Sequence, residues 1–296
     1  MNEPFGARLA AAMDDHGPLC VGIDPHAGLL EAWGLPDDAE GLRTFGLRVV
    51  EAVGGRVAAV KPQAAFFERH GSRGLAALED VIAAARAAGT LVVVDAKRGD
   101  IGSTMAAYAE AFLRDGSPLA GDALTVSPYL GFGALTPAVD LALSSGRGLF
   151  VLCLTSNKEG HEVQHARTVA DRGTGGGTGE AGASVAATMA AHAASLNADA
   201  DPLGSIGLVV GATIGDAAAT TGTDLAAVNG PLLAPGVGAQ GGGAAELAAV
   251  FGAARRQVLA SSSRGVLRAG PDVGALRAAA RLAAAEASAA LRRSAA

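Results

Sequence analysis

The sequence predicts an α/β protein built as a (β/α)8 barrel, and three observations carry that prediction. Eight short apolar runs recur along the 296 residues at fairly regular intervals. Most of them lack polar alternation, as strands do when a parallel sheet is buried on both faces. Amphipathic helical stretches separate the runs, and strands alternating with helices eight times in a chain of this length fit a closed barrel.

The elements follow in order. A short N-terminal helical extension precedes the first run, Leu19–Asp24. A doubly wound open sheet is the main rival architecture, but it carries a glycine-rich fingerprint after its first strand, where this chain has Pro25-His26. Helix Leu42–Val53 leads to the second run, Arg56–Lys61. The stretch Leu75–Ala88 places Leu75, Leu78, Val81, Ile82 and Ala85 on one stripe, with Glu79, Asp80 and Arg86 elsewhere. Gly89 stops that helix before the third run, Thr90–Asp95. Helix Met105–Leu113 precedes Ala123–Ser127, helix Thr136–Leu143 precedes Gly148–Thr155, and helix Ala186–Leu196 precedes Ser205–Gly211. Pro231–Pro235 and Gln257–Ser261 complete the strands, with helices Ala244–Arg255 and Val273–Leu291 behind them. The whole chain, 1–296, reads as one barrel domain. Two segments exceed a minimal barrel: His26–Asp38, and an inserted loop near 156–182. The glycine-rich stretch 173–179 in that insert reads as a flexible surface loop. The other reading, a phosphate-cradling loop, lacks the Lys and Ser/Thr of a P-loop.

Composition narrows the function classes. About 50% hydrophobic and 18% charged residues make a globular chain, not a disordered one. A net charge of −6 without a basic block argues against nucleic acid as a partner. No apolar run approaches the roughly 20 residues of a membrane span, and no signal peptide is visible, so a cytoplasmic protein is expected. Cys20 and Cys153 lie inside apolar runs and read as buried free thiols in a reducing compartment. The chain has three lysines, Lys61, Lys97 and Lys158, among many arginines, and two of these end apolar runs.

In such a barrel, chemistry gathers at the C-terminal ends of the strands. Those ends offer Asp24, Lys61, Asp95, Lys97, Asp100, Ser127, Thr155, Ser156, Asn157, Gln240 and Arg264. Asp95 and Lys97 are two apart, so an extended strand points both to one face. With Lys61 and Asp100 they suggest a row of alternating charge that survives burial because each cation has an anion beside it. The row reads either as a catalytic set or as an ion-pair network closing the barrel mouth. The glycine-rich stretch from Pro235 to Gly242 and the segment Ser261-Ser262-Ser263-Arg264 suggest a phosphate site between the last two strands. Both are alternatively tight glycine turns. His161-Glu162-Val163-Gln164-His165 matches H-E-x-x-H, but it lies in the least regular part of the chain with no third ligand downstream, so no metal site is expected.

The third strand is also where the chain resembles a known family. Asp95-Ala96-Lys97-Arg98-Gly99-Asp100-Ile101 is similar to the D-x-K-x-x-D-I signature of the orotidine 5′-phosphate decarboxylases. Gly22-Ile23-Asp24-Pro25, Lys61-Pro62-Gln63, Ser127-Pro128-Tyr129-Leu130-Gly131, Leu154-Thr155-Ser156-Asn157, the Pro235 loop and Ser262-Ser263-Arg264-Gly265 agree in order, from about Leu19 to Leu267. The resemblance is to the longer branch; shorter members have His-Gly where this chain has Ser127-Pro128, and lack the long segment after the fifth strand.

The resemblance implies a homodimeric barrel that converts orotidine 5′-monophosphate to UMP and CO2, the last step of pyrimidine nucleotide synthesis, without metal or organic cofactor. It implies Lys97 as proton donor to C6 and Asp95 facing the substrate carboxylate. Asp24 and Lys61 would hold the ribose, and Lys61 would also position Asp95. Ser156 and Gln240, with Asn157 beside them, would touch the base. Gln240 and Arg264, with the Pro235 loop, would hold the phosphate. Asp100, Ile101 and Thr104 would reach into the neighbouring subunit's site. The nearest alternative is a related Mg2+-dependent sugar-phosphate decarboxylase or synthase sharing D-x-K-x-x-D. Another is a nucleotide-binding sensor that has lost catalysis.

Overall fold

The computed structural model describes residues 3–169, 181–237 and 244–291. Five parallel strands come first: β1 (Leu19–Ile23), β2 (Ala59–Pro62), β3 (Leu91–Arg98), β4 (Ala123–Val126) and β5 (Gly148–Leu154). A two-stranded antiparallel ribbon follows, β6 (Arg167–Val169) with β7 (Ala181–Ser184). Three further parallel strands, β8 (Ile206–Val210), β9 (Leu232–Pro235) and β10 (Val258–Ser262), complete the ring. The barrel closes where Leu19 of β1 pairs with Ala260 of β10, and Val21 pairs with Val60 of β2 on the other side. The predicted (β/α)8 architecture is the one observed.

Each strand is buried on both faces for the reason its sequence suggested. Alternate residues fill the barrel interior, and the others face a ring of helices. Cys20, Ala59, Val93, Ala123, Phe150, Val209, Leu233 and Leu259 form the inner core. Helix Phe5–His16 closes its lower end with Phe5 and Leu9. The Phe5 ring meets Phe150 edge-on at 6.0 Å, and Gly148 permits the approach, because a Cβ there would lie 2.1 Å from the Phe5 ring. Arg8 fastens the same helix through Asp122 Oδ1 at 2.6 Å and the Gly146 carbonyl at 2.9 Å. The predicted N-terminal extension is therefore the floor of the barrel.

The outer helices present amphipathic stripes to the sheet. Helix Ala39–Val53 begins where Asp38 accepts the Gly41 N–H, a side-chain cap that supplies one of the acceptors missing at a helix start. It buries Leu42, Phe45, Val49, Val50 and Val53, and packs beside helix Gly71–Ala87. Trp33 packs on Phe45 with the rings tilted by 31° and their centroids 4.1 Å apart, and it donates its indole N–H to the Leu267 carbonyl, so packing and a hydrogen bond hold the segment after β1. Both cysteines are free and buried.

Four features differ from the sequence reading. β2 starts at Ala59, because the chain is still turning at Arg56. β3 runs on to Arg98 through an irregularity described below. The helix after β9 ends at Phe251 and continues as a 3-10 turn, Gly252–Gln257. The insert after β5 is not one loop: it holds a 3-10 turn (Lys158–Gly160), a single helical turn (His161–Gln164) and the β6–β7 ribbon. Its glycine-rich stretch 173–179 lies outside the described residues. Among the described residues, no helix is long and apolar enough to cross a membrane.

Candidate active site

The C-terminal mouth of the barrel holds a cavity of about 730 Å3. Side chains alternate along a strand, so the inward positions above the floor can be read off. Two residues further along their strands, Lys61, Asp95, Thr125, Leu152 and Ser261 line the cavity, with Asp24 just past the end of β1, while Val209 and Leu233 of the inner core border it from below. Gly22 lies below Asp24, and a Cβ there would meet Ser263 Oγ at 1.8 Å, so the smallest residue lets β1 and the end of β10 approach. The lower half of the interior is apolar and the upper half is charged.

The charged half is an ordered network. Lys61 Nζ donates to Asp95 Oδ2 at 2.8 Å and stands 3.7 Å from Asp24 Oδ1. Lys97 Nζ donates to Asp95 Oδ1 at 2.6 Å, and the Thr125 hydroxyl donates to the same oxygen at 2.8 Å. Asp24, Lys61 and Asp95 are 8%, 5% and 7% exposed, whereas Lys97 reaches into the open cavity. Asp24 Oδ1 is buried and has no hydrogen-bond partner.

Two parts of the predicted row are corrected. Asp95 and Lys97 meet, but not by simple alternation. Pairing of β3 with β4 slips between Val94 and Arg98, and Lys97 adopts φ +46°, in the left-handed region. Asp100 does not extend the row within the chain. Its Oδ1 accepts the Ile101 N–H at 2.8 Å, and among the described residues no ion pair reaches it. Asp24 occupies the end of the row instead. Ile101 and Thr104 are exposed, Ile101 at 62%, and neither lines the cavity.

The rim carries the remaining predicted residues. Ser156 and Asn157 line the cavity beyond β5, where Gln164 accepts the Thr155 N–H and donates to its hydroxyl. Pro235 and Arg264 line the opposite side, with Arg264 opening the turn Arg264–Leu267. Gln240 falls outside the described residues. Ser127 is not on the cavity, and Lys158 is exposed at the start of the 3-10 turn after β5. The sequence reading missed Thr125, Gln63 and Arg268, all on the cavity wall. Thr125 and Gln63 were legible from strand period, and Arg268 follows Arg264 by one helical turn. The two histidines of the H-E-x-x-H stretch lie 6.4 Å apart across one turn, and no group of three potential metal ligands occurs among the described residues.

The family model described as orotidine 5′-phosphate decarboxylase / HUMPS family matches residues 17–279. The chain belongs to this family. An orotidine 5′-phosphate decarboxylase of Streptomyces coelicolor is 64% identical over 270 residues, covering 91% of this chain and 92% of that protein. One from a Nocardioides strain is 63% identical over 265 residues, 90% and 92% of the two chains. A crystal structure from Streptomyces avermitilis superposes with TM-score 0.90 at 64% identity, covering 98% of this chain and 96% of that one. The Leishmania donovani OMP decarboxylase gives TM-score 0.71 at 33% identity, over 97% and 98%.

In this member of the family the network sets its own ionisation. Burial alone would raise the Asp95 carboxyl, but the Lys61 and Lys97 ammonium groups outweigh it and hold Asp95 well below the usual carboxylate range. Burial alone would lower Lys61, but Asp24 and Asp95 outweigh it and raise its ammonium above the usual lysine value. Both groups are therefore charged at neutral pH. Cys20, beneath them, is pushed up to about 12 by burial and stays a thiol. The mouth thus offers a fixed cation at Lys97, a fixed anion at Asp95 and a buried, unsatisfied carboxylate oxygen at Asp24, with guanidinium groups across the rim.

Proposed function

We propose that this chain decarboxylates orotidine 5′-monophosphate to UMP and CO2, the last step of UMP synthesis. The observation that carries the reading is the Lys97 ammonium, held 2.6 Å from the buried Asp95 carboxylate and open to the cavity. Breaking the C6–carboxylate bond releases CO2 and leaves the electron pair in an in-plane orbital at C6, which the ring π system cannot delocalise. A preorganised cation beside C6 stabilises that pair electrostatically. Lys97 then transfers its proton to C6, completing UMP, and is reprotonated from water. Arginine would hold its proton too tightly for this step. Asp95 beside the substrate carboxylate adds a repulsion that is relieved as CO2 leaves.

The other roles follow the cavity walls. Ribose hydroxyls would satisfy the unpaired Asp24 Oδ1 and meet Lys61. Ser156 and Asn157 would face the base. Arg264, with Gln240 and the Pro235 loop, would hold the phosphate, whose binding energy serves the chemistry at a distance. No cofactor enters this scheme, and the protein would work in the cytoplasm.

The test is loss of orotidine monophosphate absorbance with purified protein in EDTA. Turnover unaffected by the chelator is expected. No turnover, or turnover that needs restored Mg2+, sinks the reading in favour of a related sugar-phosphate enzyme.

We propose further that the chain works as a homodimer in which Asp100, Ile101 and Thr104 complete the partner's site. The exposed Ile101, and a cavity wall in which Asp100 takes no part, support this. Mixing inactive Lys97→Ala and Asp100→Ala proteins should then restore up to about a quarter of wild-type activity, because random exchange gives half hybrid dimers with one intact site each. Absence of recovery after demonstrated subunit exchange would count against a shared site.

A further inference from the structure

One atom stands between the two residues on which the proposed decarboxylation depends. The Thr125 hydroxyl donates to Asp95 Oδ1 at 2.8 Å and accepts the Lys97 backbone N–H at 3.0 Å. Thr125 is buried on an inward position of β4. Lys97 needs such an anchor, because its φ of +46° is unfavourable for a residue with a side chain and the β3–β4 ladder slips at that point. Asp95 needs one too. Its Oδ2 receives Lys61, and its Oδ1 receives Lys97 Nζ and Thr125, so the hydroxyl helps fix the rotation of the carboxylate.

We propose that Thr125 is a positioning residue for the reaction. It acts through Asp95 and Lys97, locking the left-handed bend that aims the Lys97 ammonium and the carboxylate that holds it. Threonine also suits a strand through its branched shape alone. Valine keeps that shape without the hydroxyl, and serine keeps the hydroxyl without the methyl.

The inference rests on the decarboxylase reading, so wild type, Thr125→Val and Thr125→Ser are assayed side by side. Thr125→Val is expected to lower kcat by about 10- to 100-fold, the size of a lost hydrogen bond to a charged group. KM, UMP affinity and melting temperature should stay near wild type, and Thr125→Ser should recover kcat to within about threefold. A second readout is independent of turnover. Because the chain has only three lysines, 15N-lysine labelling gives three backbone amide signals. The Lys97 amide should shift and exchange faster in Thr125→Val, recover in Thr125→Ser, and leave Lys158 unmoved. A wild-type kcat or wild-type Lys97 exchange in Thr125→Val overturns the proposal, as does an equal loss of kcat in both variants. No turnover by wild type would instead overturn the decarboxylase reading, while the amide exchange still decides whether Thr125 holds Lys97. If Thr125→Val does not fold, Thr125→Ala carries the same readouts.

Discussion

Lys97→Ala is expected to lower kcat for orotidine monophosphate by at least about 10^4-fold, because one substitution removes both the proton donor and the cation facing C6. The fold should survive. Lys97 is the most exposed member of the network, and Asp95 keeps its bonds to Lys61 at 2.8 Å and Thr125 at 2.8 Å when Lys97 is gone. UMP affinity should therefore stay within about tenfold of wild type, since the product carries no charge at C6 for Lys97 to bind. Lys97→Arg should fail to rescue, because guanidinium is larger and does not release a proton in this range. Single-turnover decarboxylation, UMP titration and thermal melting on one preparation decide the matter. A variant retaining more than about 1% of the wild-type rate removes Lys97 from the role of acid, since so small a loss falls at the low end of what one general acid contributes.

The residues that were legible in the sequence, and those that were not, divide along physical lines. The eight barrel strands were legible because burial on both faces makes each an apolar run, as in Leu149–Leu154. Asp24, Lys61 and Asp95 were legible because a charge ending such a run has few places to go but the barrel mouth. Thr125 did not stand out because threonine is common in strands for its shape, and it lies inside the run Ala123–Ser127, not at its end. The bend at Lys97 has no marker, since nothing in its side chain favours a positive φ; it exists because Thr125 and Asp95 hold it. The β6–β7 ribbon was missed because short strands paired only with each other need no buried apolar face. The floor helix looked like an extension because Phe5 and Leu9 reveal their role only when the barrel interior they fill is known. Asp100 stands apart from its own chain's charge row for a different reason. Sequence spacing puts it next to Lys97 along the chain, but a bent strand end turns it out of its own cavity.

Lys61→Met is expected to be the most destabilising change at the site. Lys61 stands between Asp24 and Asp95, all three almost wholly buried. Removing the central cation leaves two desolvated carboxylates with less compensation, and breaking a buried pair in this way costs about 3–5 kcal/mol. The pH dependence follows from the directions of the shifts. Asp95 lies below its ordinary value, so its contribution is present above the usual carboxylate range and is lost only as pH falls through the lowered value. Lys61 lies above its ordinary value, so its contribution is present below the usual lysine range and is lost only as pH rises through the raised value. The gap between wild type and Lys61→Met should therefore be flat from about pH 6 to 9 and close in strong acid, where the wild type loses the same pairing. Urea denaturation across that range measures it. Adding Asp95→Asn to Lys61→Met should recover at least about 1 kcal/mol, because removing both members of a buried pair is gentler than removing one. A loss below about 1 kcal/mol for Lys61→Met, with no recovery in the double variant, would mean that water solvates these carboxylates and that pairing does not hold the row in place.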